Sequence, residues 1–280
     1  MTMVEYWSRV TSTYMDDVAA YMRDSRSPLD FFNLMRVRMA LSKLGGVVCP
    51  HPISPDVYLH TFGKNALRIR SHTTDISVLN EILVSAGYDA LLRHPPAEPR
   101  LIVDLGANTG LVDRWLLSHF PSVDIIAVEP EPGNAATLRT NVAGLPVKVI
   151  EACIGATART VTLHTTSGEH GFTMIGEPAV GSVTFQVPVI TMETVLQDIS
   201  KVDLLKVDIE GAEEELFADC ADWISKVELL LVECHANYKI ANLQADLARA
   251  GASFKLIETD IKPEQGFEVA LLERVRATSH

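Results

Sequence analysis

Apolar residues near the start of the chain recur at steps of three and four. Val4, Trp7, Thr11, Tyr14, Val18 and Tyr21 would share one face of a helix. Pro28 is placed to open a second helix. Its buried side would be Phe31, Phe32, Met35, Met39 and Leu44, and Gly45-Gly46 would stop it. Pro50, Pro52 and Pro55 exclude helix interior from the next stretch. Val57–Thr61 and Ala66–Arg70 read as short strands about a Gly63-Lys64-Asn65 turn. Ile76–Ala86 has helical spacing, with Asp75 placed to cap it. The run Arg93–Pro99 is a stiff linker.

After residue 100 strands and helices alternate. Strands are predicted at Leu101–Asp104, Asp124–Val128, Val147–Ile150, Asp203–Val207, Val227–Glu233 and Ser253–Glu258, and helices at Leu111–Ser118, Gly133–Val142, Ala212–Cys220 and Ile240–Ala250. A last strand, Phe267–Glu273, has no helix before it and should run antiparallel. This grammar predicts an α/β fold with a mostly parallel sheet covered on both faces. The chain divides into a helical N-terminal extension with short strands and a lead-in helix, 1–99, and an α/β domain, 100–280. Arg159–His164 and Ser182–Val189 depart from the pattern as two strands with no helix between them. Their connection, Thr165–Gly181, is long and glycine-containing. With the N-terminal helices, it is expected to cover a substrate site.

Composition narrows the function. Apolar residues make up 47% of the 280 positions, enough for a sizeable core. The net charge of −12 would repel a phosphate backbone or an anionic lipid surface, so neither nucleic acid nor membrane is an expected partner. A small-molecule partner is expected instead. Cys49, Cys153, Cys220 and Cys234 form no CxxC pair and no zinc-ligand spacing, which predicts reduced core thiols. The N-terminus lacks a basic region followed by an apolar run, so no signal peptide is expected. No apolar run approaches the roughly 20 residues that span a bilayer. A cytoplasmic location follows as the expectation.

Four motifs carry candidate chemistry. Asp104-Leu105-Gly106-Ala107-Asn108-Thr109-Gly110 lies where a buried strand turns into a helix, the ligand crevice of an open α/β sheet. Asn108 and Leu111 occupy positions where a dinucleotide fingerprint needs glycine, which disfavours a nicotinamide or flavin site. Glu129 ends the next strand, where a carboxylate can accept both hydroxyls of a ribose. Glu131, two positions on, reads as a solvated charge. Lys206, Asp208 and Glu210 share one side of a strand end that is otherwise apolar. Among the glutamates that follow, Glu214 and Glu215 read as helix-dipole partners. Glu233 and His235 share a side at the end of the neighbouring strand.

Residues 101–275 resemble the FkbM family of S-adenosylmethionine-dependent methyltransferases. The resemblance rests on residues 104–110, on Val128-Glu129-Pro130-Glu131-Pro132 and above all on Leu205-Lys206-Val207-Asp208-Ile209-Glu210-Gly211-Ala212-Glu213. Glu233-Cys234-His235 and the lead-in from Thr74-Asp75 to Tyr88 fit as well. Residues 1–55 carry no resemblance. The resemblance implies the class I methyltransferase (Rossmann-like) fold with a seven-stranded sheet. It also implies O-methylation of a hydroxyl on a sugar or secondary metabolite. By position, Asp104, Gly106, Asn108 and Gly110 would hold the methionine part of the cofactor, Glu129 its ribose, and Ala152-Cys153 would lie beside adenine.

Displacement at a sulfonium needs alignment and a deprotonated nucleophile. Asp208, Glu210 and His235 are the candidate catalytic residues. One route has a carboxylate or His235 take the hydroxyl proton directly. In the other, Asp208, Glu210 and Glu213 hold Mg²⁺, which lowers the hydroxyl pKa. The metal-free route is favoured, because a histidine can be poised near neutrality without an ion. N-methylation of a small molecule and a non-catalytic cofactor-binding protein are the alternatives, with a nicotinamide dehydrogenase behind them.

Overall fold

The protein is described from a computed structural model covering residues 3–42, 49–165, 172–173, 184–262 and 266–276. Two compact units emerge, one of residues 1–89 with 114–119 and one of residues 90–113 with 120–280.

The first unit holds helices α1 (Met3–Asp24), α2 (Pro28–Ala40) and α3 (Asp75–Leu83). A two-residue hairpin pairs β1 (Asp56–Val57) with β2 (Leu67–Arg68). Pro28 opens α2 as expected, and the Ser27 hydroxyl caps it by accepting the Asp30 N–H. The buried face of α2 differs from the predicted one. It is Asp30, Leu34, Val37 and Ala40, while Phe32 is 61% exposed. The reason is a polar anchor: the Asp30 carboxylate accepts the Tyr58 N–H at 2.9 Å, so this aspartate faces inward. Asp75 is not the cap of α3. Thr74 holds that position, and the buried Asp75 carboxylate accepts the Arg70 N–H at 2.8 Å and pairs with its guanidinium at 2.7 Å. Arg114, also buried, donates to the carbonyls of Phe62, Asn65 and Ala66 at 2.7 to 3.0 Å. The predicted stop at Gly45-Gly46 lies outside the described residues.

The second unit begins with the short helix α4 (Ala90–Arg93) and strand β3 (Leu101–Leu105). Helix α5 (Leu111–His119) follows and crosses the division between the units, since residues 114–119 group with the first. Then come β4 (Asp124–Val128), α6 (Pro132–Asn141) and β5 (Val147–Ile150). An insertion contributes β6 (Cys153–Ile154), β7 (Arg159–Thr165), β8 (Phe172–Thr173) and β9 (Thr184–Ile190). The chain returns through α7 (Met192–Val195), β10 (Val202–Val207), α8 (Glu213–Ala218), α9 (Ala221–Ile224) and β11 (Val227–Cys234). It closes with α10 (Ile240–Arg249), β12 (Phe254–Lys262) and β13 (Phe267–Arg274).

Seven strands form one sheet in the order β12-β13-β11-β10-β3-β4-β5. The pairs from β11 to β5 are parallel, and β13 is antiparallel to both neighbours, as its missing helix predicted. The fold is therefore the α/β, Rossmann-like architecture expected from the alternating pattern. All six residues of β10 are buried, which explains its near-continuous apolar run. Val103, Leu105, Val207, Leu230, Phe217 and Trp223 lie in the core beside this sheet. Each such side chain contributes about 1.5–3 kcal/mol by leaving water.

The insertion builds a separate sheet, β6-β9-β7-β8, with β7 and β9 antiparallel. The predicted strands Arg159–His164 and Ser182–Val189 correspond to β7 and β9, apart from residues 182–183, which lie outside the description. Of the connection Thr165–Gly181, only Thr165, Phe172 and Thr173 are described, so its expected covering role lies outside the described residues. Among the described residues, no helix is long and apolar enough to cross a membrane.

Candidate active site

The carboxyl ends of β3, β4, β10 and β11 bring the four sequence motifs to one edge of the sheet. Gly106 sits where β3 and β10 converge. A Cβ there would lie 1.7 Å from the Asp208 carbonyl oxygen, so glycine is required by the approach of two backbones. Its φ of 85° also needs glycine. Asn108 follows with φ 50°, a conformation asparagine tolerates better than most residues. Gly110 opens α5 beside Leu138 of α6.

Glu129 is buried at the end of β4. One carboxylate oxygen accepts the Asn108 N–H at 2.9 Å, and the other accepts the Glu131 N–H at 2.9 Å and the Asn134 side-chain amide at 3.3 Å. Burial pushes its carboxyl up to about 7, against the pull of these donors. Glu131 is not merely solvated. It caps α6, accepting the Gly133 and Asn134 N–H groups, so the capping role falls to Glu131 rather than Glu129. Ala152 and Cys153 are buried after β5. Burial and the nearby Glu129 charge push the Cys153 thiol up to about 11. All four cysteines are free and buried.

Lys206 links the two halves of the edge. Its ammonium donates to Asp104 Oδ1 at 2.9 Å and to the Gly106 carbonyl at 3.2 Å, and lies 3.6 Å from Asp208. Burial opposes its charge, but Asp104, Asp208 and Glu233 outweigh that and hold it protonated. Asp113, on the first turn of α5, is fully buried near Asp104. Burial and the Asp104 charge raise its carboxyl well above the usual range. Asp113 was missed by the sequence reading. Its signal is a charge flanked by Val112, Trp115 and Leu116, three buried apolar neighbours on a short helix.

His235 lies beyond β11 inside a ring of carboxylates. Its Nδ1 is 2.9 Å from Glu213 Oε1. Its Nε2 is 3.8 Å from Glu210 and 3.9 Å from both Asp208 and Glu233. Desolvation of the ring would lower its pKa, but the bond to Glu213 and the charges of Asp208, Glu213 and Glu210 raise it to about 9. At neutral pH His235 is therefore an imidazolium and a donor at both nitrogens. The expectation that it is poised as a neutral base does not fit these surroundings. Glu210 is about half exposed at the rim, with φ 52°. Desolvation and the Asp208 charge push its carboxyl up to about 7. A non-glycine residue held at positive φ is strained, and such strain concentrates at functional sites.

The structure thus brings Asp208, Glu210 and His235 together, adding Glu213 and Glu233. It gathers Asp104, Gly106, Asn108 and Glu129 in the adjoining half. Asp208, Glu233 and His235 each bring a possible ligand atom within 4.8 Å of the others.

The methyltransferase FkbM domain model matches residues 104–268. Methyltransferase sdnD from Sordaria araneosa is 29% identical over 174 residues, covering 50% of this chain and 66% of that protein. Among solved structures, the precorrin-6y C5,15-methyltransferase from Geobacter metallireducens GS-15 matches at TM-score 0.42 and 12% identity, over 69% of this chain and 89% of its own. TrmK from M. capricolum, solved with S-adenosylhomocysteine, matches at TM-score 0.40 and 11% identity, over 65% of each chain. With the family model spanning more than half of its length, the chain belongs to the FkbM family of S-adenosylmethionine-dependent methyltransferases.

Proposed function

We propose that this methyltransferase acts on oxygen, methylating a hydroxyl of a small molecule such as a sugar or secondary metabolite. The observation that carries this reading is the convergence of Asp208, Glu210 and Glu233 on His235 Nε2 at 3.8 to 3.9 Å. A neutral amine already presents its lone pair, whereas an aliphatic hydroxyl must lose a proton as it attacks. A carboxylate cluster at the substrate edge serves the second need. The net charge of −12 favours a small acceptor over a nucleic acid, and four buried free thiols favour the cytoplasm.

The cofactor half of the site fits its ligand. Asn108 Oδ1 and Thr109 Oγ1 are buried without a hydrogen-bond partner, the kind of orphan that a polar ligand satisfies. Glu129 would accept the ribose hydroxyls with the lone pairs its amide donors leave. Asp104, Gly106, Asn108 and Gly110 would hold the amino-acid end, with Ala152 and Cys153 beside the base. When bound, S-adenosylmethionine supplies a methyl group on a positively charged sulfur, open to displacement by oxygen.

The chain's own residues then manage one proton. Glu210, at the rim and with a carboxyl near neutrality, takes the proton of the acceptor hydroxyl as the oxygen attacks. Asp208 is the next carboxylate in reach. His235 donates from Nε2 to the same oxygen, orienting it and stabilising its developing charge. No metal is needed in this scheme. Transfer of a labelled methyl group to a hydroxylated metabolite pool, read by mass spectrometry, tests it, and label appearing on nitrogen would favour N-methylation instead.

A further inference from the structure

Three consecutive glutamates open α8, and they have three different environments. Glu214 faces solvent. Glu215 forms a two-pronged ion pair with Arg159 of the insertion, at 2.7 and 2.8 Å, and accepts the Ala156 N–H. Glu213 has no solvent exposure. A turn through Glu210 and Gly211, both at positive φ, folds it back beneath Asp208 and Glu210. There Glu213 Oε1 accepts the Gly211 N–H at 3.2 Å and meets His235 Nδ1 at 2.9 Å.

We infer that Glu213 is the positioning residue of this site, fixing the Nδ1 edge of His235 so that Nε2 faces the acceptor. A purely structural role would explain the Gly211 bond but not the burial. A carboxylate withdrawn from water needs a positive partner or several donors, and its described partners are one amide and the imidazole. Locking one ring nitrogen determines which atom the other presents, the arrangement by which a buried carboxylate orients a functional histidine. The groups facing His235 are Asp208 and Glu210 from the turn after β10, Glu213 from α8, Glu233 from β11 and the Phe267 ring of β13, 5.6 Å away. Of the carboxylates, Glu213 alone touches Nδ1. It is therefore the one whose removal frees the ring to turn.

This inference rests on the reading of His235 as an acceptor-site donor, but it is tested without any acceptor. The experiment is nitrogen-15 NMR of the imidazoles in the full chain, with His235 assigned from a His235→Asn variant. In the wild type the His235 signals should titrate near pH 9, and the neutral ring should carry its proton on Nδ1. In Glu213→Gln the midpoint should fall by about one to two pH units and the tautomer should become mixed. Glu213→Asp, which restores the charge, should recover most of the midpoint. Affinity for S-adenosylhomocysteine should change less than about twofold in both variants, because the cofactor half is untouched. A neutral wild-type ring with its proton on Nε2, or an unchanged tautomer in Glu213→Gln, would overturn the inference. If the glutamine variant does not fold, the wild-type tautomer still decides it. A locked tautomer in a protein that methylates no hydroxyl would leave Glu213 as the positioning residue and refute the proposed acceptor.

Discussion

Lys206 Nζ lies 2.9 Å from Asp104 Oδ1, and the two side chains are 3% and 0% exposed. The pair ties β10 to β3 at the point where the loop of residues 106–110 begins, and the same ammonium reaches the Gly106 carbonyl. Removing one partner of a buried pair strands the other charge. Lys206→Met should therefore destabilise the protein by about 3–5 kcal/mol. Lys206→Met combined with Asp104→Asn should cost less than the sum of the single changes. Urea denaturation of the four proteins measures both quantities, and strict additivity would show that the pair is not coupled.

Glu129, proposed here to accept the cofactor ribose, already holds the Asn108 and Glu131 amides. Glu129→Ala should cost about 2–4 kcal/mol of cofactor binding through lost charged hydrogen bonds. With the free carboxyl near 7, the ribose-accepting form is depleted in acid. Affinity for S-adenosylhomocysteine should fall as pH drops from 8 to 6, approaching about tenfold per unit below the pKa. Calorimetry across this range, with Glu129→Gln flat by comparison, checks the assignment.

The acid–histidine edge predicts a bell-shaped rate profile. Activity should rise as Glu210 loses its proton near pH 7 and fall as His235 loses its own near pH 9. At saturating cofactor, which removes the Glu129 effect on binding, Glu210→Gln should abolish the rising limb. Stability carries its own signature. The His235 pKa is raised above the ordinary 6.5, so its stabilising contribution is complete below about pH 6.5 and is lost as pH climbs to about 9. Denaturation midpoints should decline over that interval in the wild type and less so in His235→Asn.

Metal dependence separates the two routes to an activated hydroxyl. Exhaustive chelation should leave turnover intact, while His235→Ala should slow it about 10²–10³-fold by removing a charged donor. Loss on chelation that added Mg²⁺ restores would replace direct base catalysis with a metal-assisted mechanism.

Much of this was legible in the sequence, and its limits have physical causes. Strand Asp124–Val128 agrees residue for residue, because a strand buried on both faces writes an unbroken apolar run, here Ile125–Val128, and the edge strand Val147–Ile150 agrees as well although Lys148 interrupts it. The site edge was legible because Lys206, Asp208 and Glu210 interrupt such a pattern. Where reading failed, a distant partner decided the outcome. Asp30 turned α2 because it accepts a hydrogen bond from Tyr58. Asp75 left its cap for Arg70. Glu131, read as a solvated charge, is the local exception, since it caps α6 through the Gly133 and Asn134 amides. Period and propensity place a charge on a face of a helix or strand, but the partner that justifies burying it comes from another part of the chain.

The central claim is methyl transfer to oxygen at the Glu210–His235 edge. The most direct test incubates the protein with S-adenosylmethionine carrying a labelled methyl group and a pool of hydroxylated sugars and secondary metabolites, followed by mass spectrometry with fragmentation. The account predicts a labelled methyl ether with the wild type and about 10²–10⁴-fold less of it with Glu210→Gln at equal cofactor occupancy. Label on nitrogen, or an undiminished yield from the variant, would contradict it.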